Sequence, residues 1–200
     1  LQRIGYTGPQ EPTLQVLRDI HRCHAHVIPY ENLDVYLGLP VDQDVNRIYD
    51  KVVEAGRGGW CYEMNGLLGW ALSQLGFDVT RQVGGVMRAA RGDAAFGNHL
   101  VLRVLLDEGT YIADVGLGDG IDEPLSLAEG EHEQSGRRFR LERLSDREWR
   151  FHNTTGALPP SFDFIYRPEV AGYEAAEDDE QRLAATCEML QTCLLYTSPS

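Results

Sequence analysis

Apolar positions in the first third of the chain recur at helical spacing. After Thr13, a residue suited to an N-cap, Leu14, Leu17 and Ile20 follow at three-residue intervals until Pro29 forbids continuation. Val45, Ile48, Tyr49, Val52 and Val53 form a second stripe, capped by Asp42 or Asp44 and stopped by Gly56. A third helix begins near Cys61 and carries Leu67, Leu68, Ala71, Leu72 and Leu75 to Gly76. Past Gly76 the period changes to two. Phe77–Met87, Asn98–Leu106 and Thr110–Val115 read as strands, with a hairpin turn at Asp107-Glu108-Gly109. A second hairpin joins Arg138–Leu144 to Glu148–Asn153 around Ser145-Asp146. The pattern predicts a helical segment leading into an antiparallel, barrel-like β segment. Beyond Pro168 the chain is acidic and Ala-rich over Glu174–Glu180, then helical through Arg182–Leu190. Cys193–Ser200 suits neither period.

Composition narrows the class. The chain has 200 residues, 42% hydrophobic and 24% charged, which is ordinary for a folded protein with a real core. A formal charge of −13 argues against a nucleic-acid or anionic-membrane protein, which would need a cationic face. No apolar stretch approaches the roughly 20 residues of a membrane span. Four cysteines (Cys23, Cys61, Cys187, Cys193) do not make a disulfide scaffold, and a reducing cytoplasm is the simplest home. The start at Leu1 and the misfit tail 193–200 both read as cut ends.

Candidate chemistry centres on Arg57-Gly58-Gly59-Trp60-Cys61-Tyr62-Glu63-Met64-Asn65. Two glycines followed by Cys at the start of an apolar helix place the sulfur where unpaired N–H groups and the helix dipole favour a thiolate. A buried structural Cys beside a glycine-rich turn competes with this reading on about even terms. A nucleophilic Cys needs a base, and the base an orienting group. His99 opens a strand, Asp114 lies on the next strand of the same hairpin, and the gaps from Cys61 are 38 and then 15 residues. Register decides whether they meet. If Leu106 pairs with Thr110, His99 faces away from Asp114; if Leu105 pairs with Thr110, the two share a face.

Other residues carry weaker signals. His21, Cys23, His24 and His26 cluster in the first helix but lack a second ligand pair for zinc, so a helix end with polar residues is the better reading. His132 and His152 are expected to be solvated. The arginines between Arg137 and Arg150 alternate with Phe139, Leu141, Trp149 and Phe151 as the outward face of a hairpin. Gly116 and Gly118, in a glycine-rich loop after Asp114, could offer backbone N–H groups to phosphates, although such a loop is more often just a tight turn. Arg81, Arg88 and Arg91 are the alternative phosphate contacts, or merely solvate a loop.

The residues resemble the arylamine N-acetyltransferases. Ile28-Pro29-Tyr30-Glu31-Asn32-Leu33-Asp34 is similar to that family's I-P-[FY]-E-N-L motif, and Arg57–Asn65 to its R-G-G-x-C-x-E-x-N block. Asn98-His99-Leu100 and Ala113-Asp114-Val115-Gly116 match its remaining segments in order and spacing, and the likeness covers roughly residues 1–170. The resemblance implies an α+β fold with a cysteine-proteinase-like (transglutaminase-like) core. It would comprise a helical bundle over 1–75 bearing Cys61, an antiparallel β-barrel over 76–170 bearing His99 and Asp114, and the start of a third domain over 171–200. It further implies acetyl transfer from acetyl-CoA, as co-substrate and without a metal, to an arylamine or arylhydrazine. Cys61 would carry the acetyl group, His99 would be its base and Asp114 would orient the imidazole. No nucleic-acid or membrane partner is implied.

Two departures qualify the likeness. Leu117 stands where the family commonly has Phe, which bears on substrate preference, and most of the third domain is missing, which could leave an impaired fragment. The rival readings are a transglutaminase-like thiol hydrolase and a non-catalytic domain with a structural Cys61. The flanking motifs 28–34 and 57–65 argue against both.

Overall fold

A computed structural model describes residues 1–154, 160–170, 172–173 and 175–192. After a short 3-10 turn at Gln2–Ile4, helix α1 (Leu14–Val27) begins where the Thr13 side chain accepts a hydrogen bond from Val16 N–H. A one-turn helix, α2 (Leu33–Tyr36), follows Pro29; four residues carry no period, so the hydrophobic pattern does not reveal it. Asp44 rather than Asp42 caps α3 (Val45–Tyr49), accepting from Asn46 and Arg47 N–H. The predicted second helix then widens into a π turn over Asp50–Glu54 before Gly56 ends it with φ 68°. Helix α4 (Cys61–Gln74) starts on Cys61, as the pattern predicts.

Eight strands form one antiparallel sheet. These are β1 (Asp78–Val86), then, after α5 (Arg88–Arg91), β2 (His99–Leu106), β3 (Gly109–Ala113), β4 (Leu125–Ser126), β5 (Gly130–Gln134), β6 (Arg137–Arg143), β7 (Glu148–Asn153) and β8 (Ser161–Ile165). The order is β4-β3-β2-β1-β8-β7-β6-β5, and Gln134 on β5 bonds Asp122 and Glu123 just ahead of β4, so the sheet is nearly closed. The fold class is α+β. The acidic helix α6 (Glu177–Thr192) opens five residues earlier than the sequence predicts, with Glu177, Asp178, Asp179 and Glu180 favourably placed in its first turn. The tail 193–200 lies outside the described residues. No described helix is long and apolar enough to cross a membrane.

Three apolar clusters meet along β2, one of them joining Leu100 to Trp60, Cys61 and Tyr62 and to Leu183, Cys187 and Leu190 of α6. Leu17, Ile20, Val52, Leu68 and Leu72 of the helices pack on Val79, Leu102, Val104 and Ala113. Inside the sheet, Val101 and Ile112 pack with Phe139, Leu141, Phe151, Phe162 and Phe164, while the intervening arginines of β6 and β7 turn outward as the alternation predicts. Leu100, Leu102 and Val104 thus face the helices, and Val101 faces the barrel interior. The β2–β3 register pairs Leu105 with Thr110, one of the two alternatives, which puts Val101 opposite Asp114 and His99 on the same face. Gly109 joins β3 rather than the turn, leaving Asp107-Glu108 as a two-residue connection.

Leu17 is fully buried at the centre of the helical core. Leu17→Ala should lower unfolding stability by about 2–5 kcal/mol, read as a reduced urea midpoint.

Candidate active site

The start of α4 is held by a clamp between two segments far apart in sequence. Glu31 N–H donates to Gly59 O at 2.9 Å and Gly59 N–H to Pro29 O at 3.3 Å. Gly58 passes so close that a Cβ there would sit 1.9 Å from Pro29 O, so only glycine fits. Five charged side chains lock this contact. Lys51 Nζ is 2.9 Å from both Glu63 carboxylate oxygens and from Asp34 Oδ2, and Arg57 reaches Glu31 at 2.8 Å and Asp34 at 2.7 Å. Glu63 also accepts from Trp60 N–H at 3.1 Å, satisfying an unpaired donor of the helix start. Burial pushes the Glu63 carboxyl up, and Lys51 opposes the shift. The chain is thereby pinned one residue before Cys61.

His99, Asp114 and Cys61 converge beneath this clamp. His99 Nε2 lies 2.7 Å from Asp114 Oδ2, with both side chains buried. Nε2 faces the carboxylate, so Nδ1 is the ring nitrogen left over, and Cys61 lies near enough to act electrostatically on the ring. Cys61 Sγ sits 3.9 Å from Asn98 O, and the imidazole packs 5.0 Å from the Phe162 ring centroid. Burial alone would lower the His99 pKa. The Asp114 carboxylate and Cys61 override it and raise the imidazole from 6.5 to about 10. Cys187 on α6 packs in the same apolar cluster as Cys61, and burial pushes its thiol up to about 12.

Asp114 is held on all sides. Asn65, one turn after Cys61 on α4, donates from Nδ2 to Asp114 Oδ1 at 2.7 Å and to Leu100 O at 2.6 Å, and accepts from Val115 N–H at 2.8 Å. Gly116 N–H donates to the same Oδ1 at 2.8 Å. That N–H already has its partner, so Gly116 serves the carboxylate rather than standing free for a phosphate. A Cβ on Gly116 would lie 2.8 Å from both Cys61 Cα and Asn65 Nδ2. Gly118 takes a left-handed φ of 74° beside Tyr30. Tyr30, Met64, Asp114, Leu117 and Gly118 help line a cavity of about 140 Å³, which brings Leu117 to the edge of the site.

The first-helix histidines require a correction. They are not a polar helix end: His21 and His24 are buried, and only His26 is solvent-facing. His21 Nδ1 lies 2.9 Å from Asp122 O, and its Nε2 accepts from Asp114 N–H at 3.2 Å. The signal is present in the sequence, because 17, 21, 24 and 28 continue the buried helical stripe. Asn65 closes the R-G-G-x-C-x-E-x-N block in the sequence, but its bonds to Asp114 and Val115 become visible only in the structure. Of the arginines considered for phosphate, Arg81 pairs with Gln43 and Glu180, and Arg88 with Asp93, Glu148 and Asp163. These two are structural cations rather than loop solvation. Among the described residues no group of three or more His, Cys, Asp or Glu side chains is placed to hold a metal.

A profile of an N-acetyltransferase family matches residues 13–169. An arylamine N-acetyltransferase of Mycolicibacterium smegmatis is 38% identical over 175 residues, covering 84% of this chain and 64% of that protein. The pineal gland arylamine N-acetyltransferase isozyme NAT-3 of Gallus gallus is 39% identical over 64% of this chain and 46% of its own length. The solved structure of Mycobacterium marinum arylamine N-acetyltransferase in complex with CoA superposes with a TM-score of 0.80 at 33% identity, covering 97% of this chain and 70% of that one. The chain thus spans about half to two thirds of the length of these curated relatives.

Two outcomes follow from the site geometry. In ¹⁵N spectra of the ring nitrogens, His99 should remain imidazolium through neutral pH and lose its proton only as pH rises towards 10, while His21 should stay neutral below pH 6.5. Gly116→Ala should destabilise the fold by about 1–3 kcal/mol through overpacking against Cys61 and Asn65, read by thermal or urea unfolding.

Proposed function

The chain belongs to the arylamine N-acetyltransferase family, and on that premise we propose that it passes an acetyl group from acetyl-CoA to an aromatic amine or hydrazine through an acetyl-cysteine at Cys61. The observation that carries the reading is the buried His99–Asp114 pair beside Cys61, which opens α4.

In the proposed first step the Cys61 thiolate attacks the thioester carbonyl. The tetrahedral oxyanion collapses, CoA leaves as its thiol with the proton from His99, and acetyl-Cys61 remains. A neutral imidazole now stands beside the acyl-enzyme. In the second step the amine nitrogen attacks the acetyl carbonyl and gives its proton to His99, and Cys61 leaves as thiolate. Atoms and charge return to the start, and water need not take part. Asp114 holds the imidazolium form that both thiolate states require.

The substrate class rests on the family: the nearby cavity is lined by Tyr30, Met64 and Leu117 but also by His26, Asp114, Asp122 and Arg137, and neither Cys61 nor His99 lines it. For the coenzyme we propose approach along the glycine loop at Gly116 and Gly118, with backbone donors beyond Gly116 facing its phosphates. The successive units of the fold are proposed as the helices over residues 1–75, the sheet over residues 76–170 and the segment from 171 onward. The described cysteines Cys23, Cys61 and Cys187 are free thiols, which suits a reducing cytoplasm.

Intact-mass analysis tests the reading. Acetyl-CoA, or the small active ester p-nitrophenyl acetate, should add one acetyl group to Cys61, and an aromatic amine should remove it. Cys61→Ser should take up none, and His99→Ala should slow uptake by at least about a hundredfold. Wild-type protein left unmodified by both donors sinks the proposal; labelling by the ester alone locates the deficit in coenzyme binding.

A further inference from the structure

One buried imidazole outside the proposed triad touches it directly. His21, on α1, is wholly buried and makes two hydrogen bonds, both across about a hundred residues of sequence. Its two partners fix its state without ambiguity. Asp122 O is a carbonyl and can only accept, so Nδ1 must carry a proton. Asp114 N–H can only donate, so Nε2 must be bare. Burial acts in the same direction, holding the ring below its ordinary pKa against the pull of Asp122 and Asp114.

These partners flank the glycine-rich loop. Asp114 N–H lies immediately before it and Asp122 O immediately after it, so a single ring ties both ends of segment 114–122 to the buried face of α1. The tie matters because β3 ends at Ala113, and Asp114 has no ladder partner of its own. His21 holds the N–H of Asp114 itself, Asn65 holds the following peptide through Val115 N–H, and Asn65 and Gly116 fix the carboxylate. Asp122 is anchored in turn by Arg137 at 2.7 Å.

We propose that His21 is a positioning residue for the transferase site: as a neutral ring it sets the backbone of Asp114, and through it the His99–Asp114 bond, while pinning the far end of the glycine loop. The role rests on the acetyl-transfer reading, since it concerns the alignment of that site's base. It differs from packing alone, because a residue of similar volume without a donor and an acceptor cannot supply it. An amide can. Gln offers one N–H and one C=O at nearly the spacing of the two ring nitrogens, and it never carries a charge.

The test compares His21→Leu and His21→Gln with the wild type in the whole chain. Readouts are the rate of Cys61 acetylation by p-nitrophenyl acetate, the imidazolium Nε2–H resonance of His99, and the urea midpoint as a control for folding. His21→Leu should acetylate about tenfold or more slowly and shift or lose the His99 resonance. His21→Gln should restore both to within about threefold of the wild-type rate. Equal rates and an unmoved His99 resonance in folded His21→Leu overturn the proposal, as does a His21→Gln no better than His21→Leu. Should the Leu variant not fold, the wild type still decides. A ¹⁵N coupling across Asp114 N–H to His21 Nε2, with Nδ1 protonated, supports the tie, and a protonated Nε2 overturns it. Failure of the parent reading looks different, because there the wild type itself takes up no acetyl group.

Discussion

With Leu105 opposite Thr110, His99 and Val101 lie on the face of β2 that receives Asp114, while Leu102 and Val104 turn to the helical core and Leu100 to the cluster around Cys61 and α6. A slip of one residue would exchange those faces, burying His99 among leucines and valines and driving Leu100 and Leu102 against Asp114. Both errors are costly, because an imidazole would lose its carboxylate and a carboxylate its donors. Hydrophobic packing and polar pairing therefore demand the same register. The two-residue turn Asp107-Glu108 supplies it, with Gly109 taking φ 143° where the strand resumes.

The polar centre is assembled from groups that would each be expensive to bury alone. Asp114 accepts from His99, Asn65 and Gly116, so its charge is compensated at both oxygens. The second charge cluster, Lys51 and Arg57 with Glu31, Asp34 and Glu63, does not touch Asp114. It acts on the same centre through the backbone, by holding Trp60 and so the first turn of α4. Asn65 connects the two halves: it rides on the helix that Glu63 caps and bonds the strand that carries Asp114. This amide adds a polar tie to the apolar packing that already joins α4 to the sheet.

Much of this is legible in the sequence because it is carried by local rules. Thr13 and Asp44 cap their helices as their side-chain chemistry requires, and the change of period at Gly76 marks the passage from helix to sheet. Residue type and order alone single out Cys61, His99 and Asp114; the structure pairs His99 with Asp114 and sets Cys61 at the start of α4 with its Sγ 3.9 Å from Asn98 O. What escapes such rules is non-local or too short to have a period. Strand β5 reads Gly-Glu-His-Glu-Gln, with no apolar alternation, and exists because β6 supplies it with a partner. The arginines at 81 and 88 look available in the sequence because their acidic partners lie up to about a hundred positions away. His21 misleads for a related reason: a histidine on an apolar stripe is ambiguous until the donor and acceptor facing it are known.

That ambiguity is resolved by what the partners can do, and it resolves oppositely for two rings bound to the same residue. Asp114 presents its carboxylate to His99 and its N–H to His21. A carboxylate has only lone pairs to offer, so the nitrogen facing it carries a proton, and its negative charge favours a second proton on the far nitrogen. A backbone N–H has only a proton to offer, so the ring facing it is stabilised with one nitrogen bare. Both rings are fully enclosed, so desolvation presses each toward neutrality, and it prevails only at His21, where no carboxylate is hydrogen-bonded to the ring. One aspartate thus sorts two buried histidines into a cation and a neutral strut. Proposed proton transfer at His99 need not disturb His21, because the strut acts on the backbone of Asp114 and the transfer on its side chain.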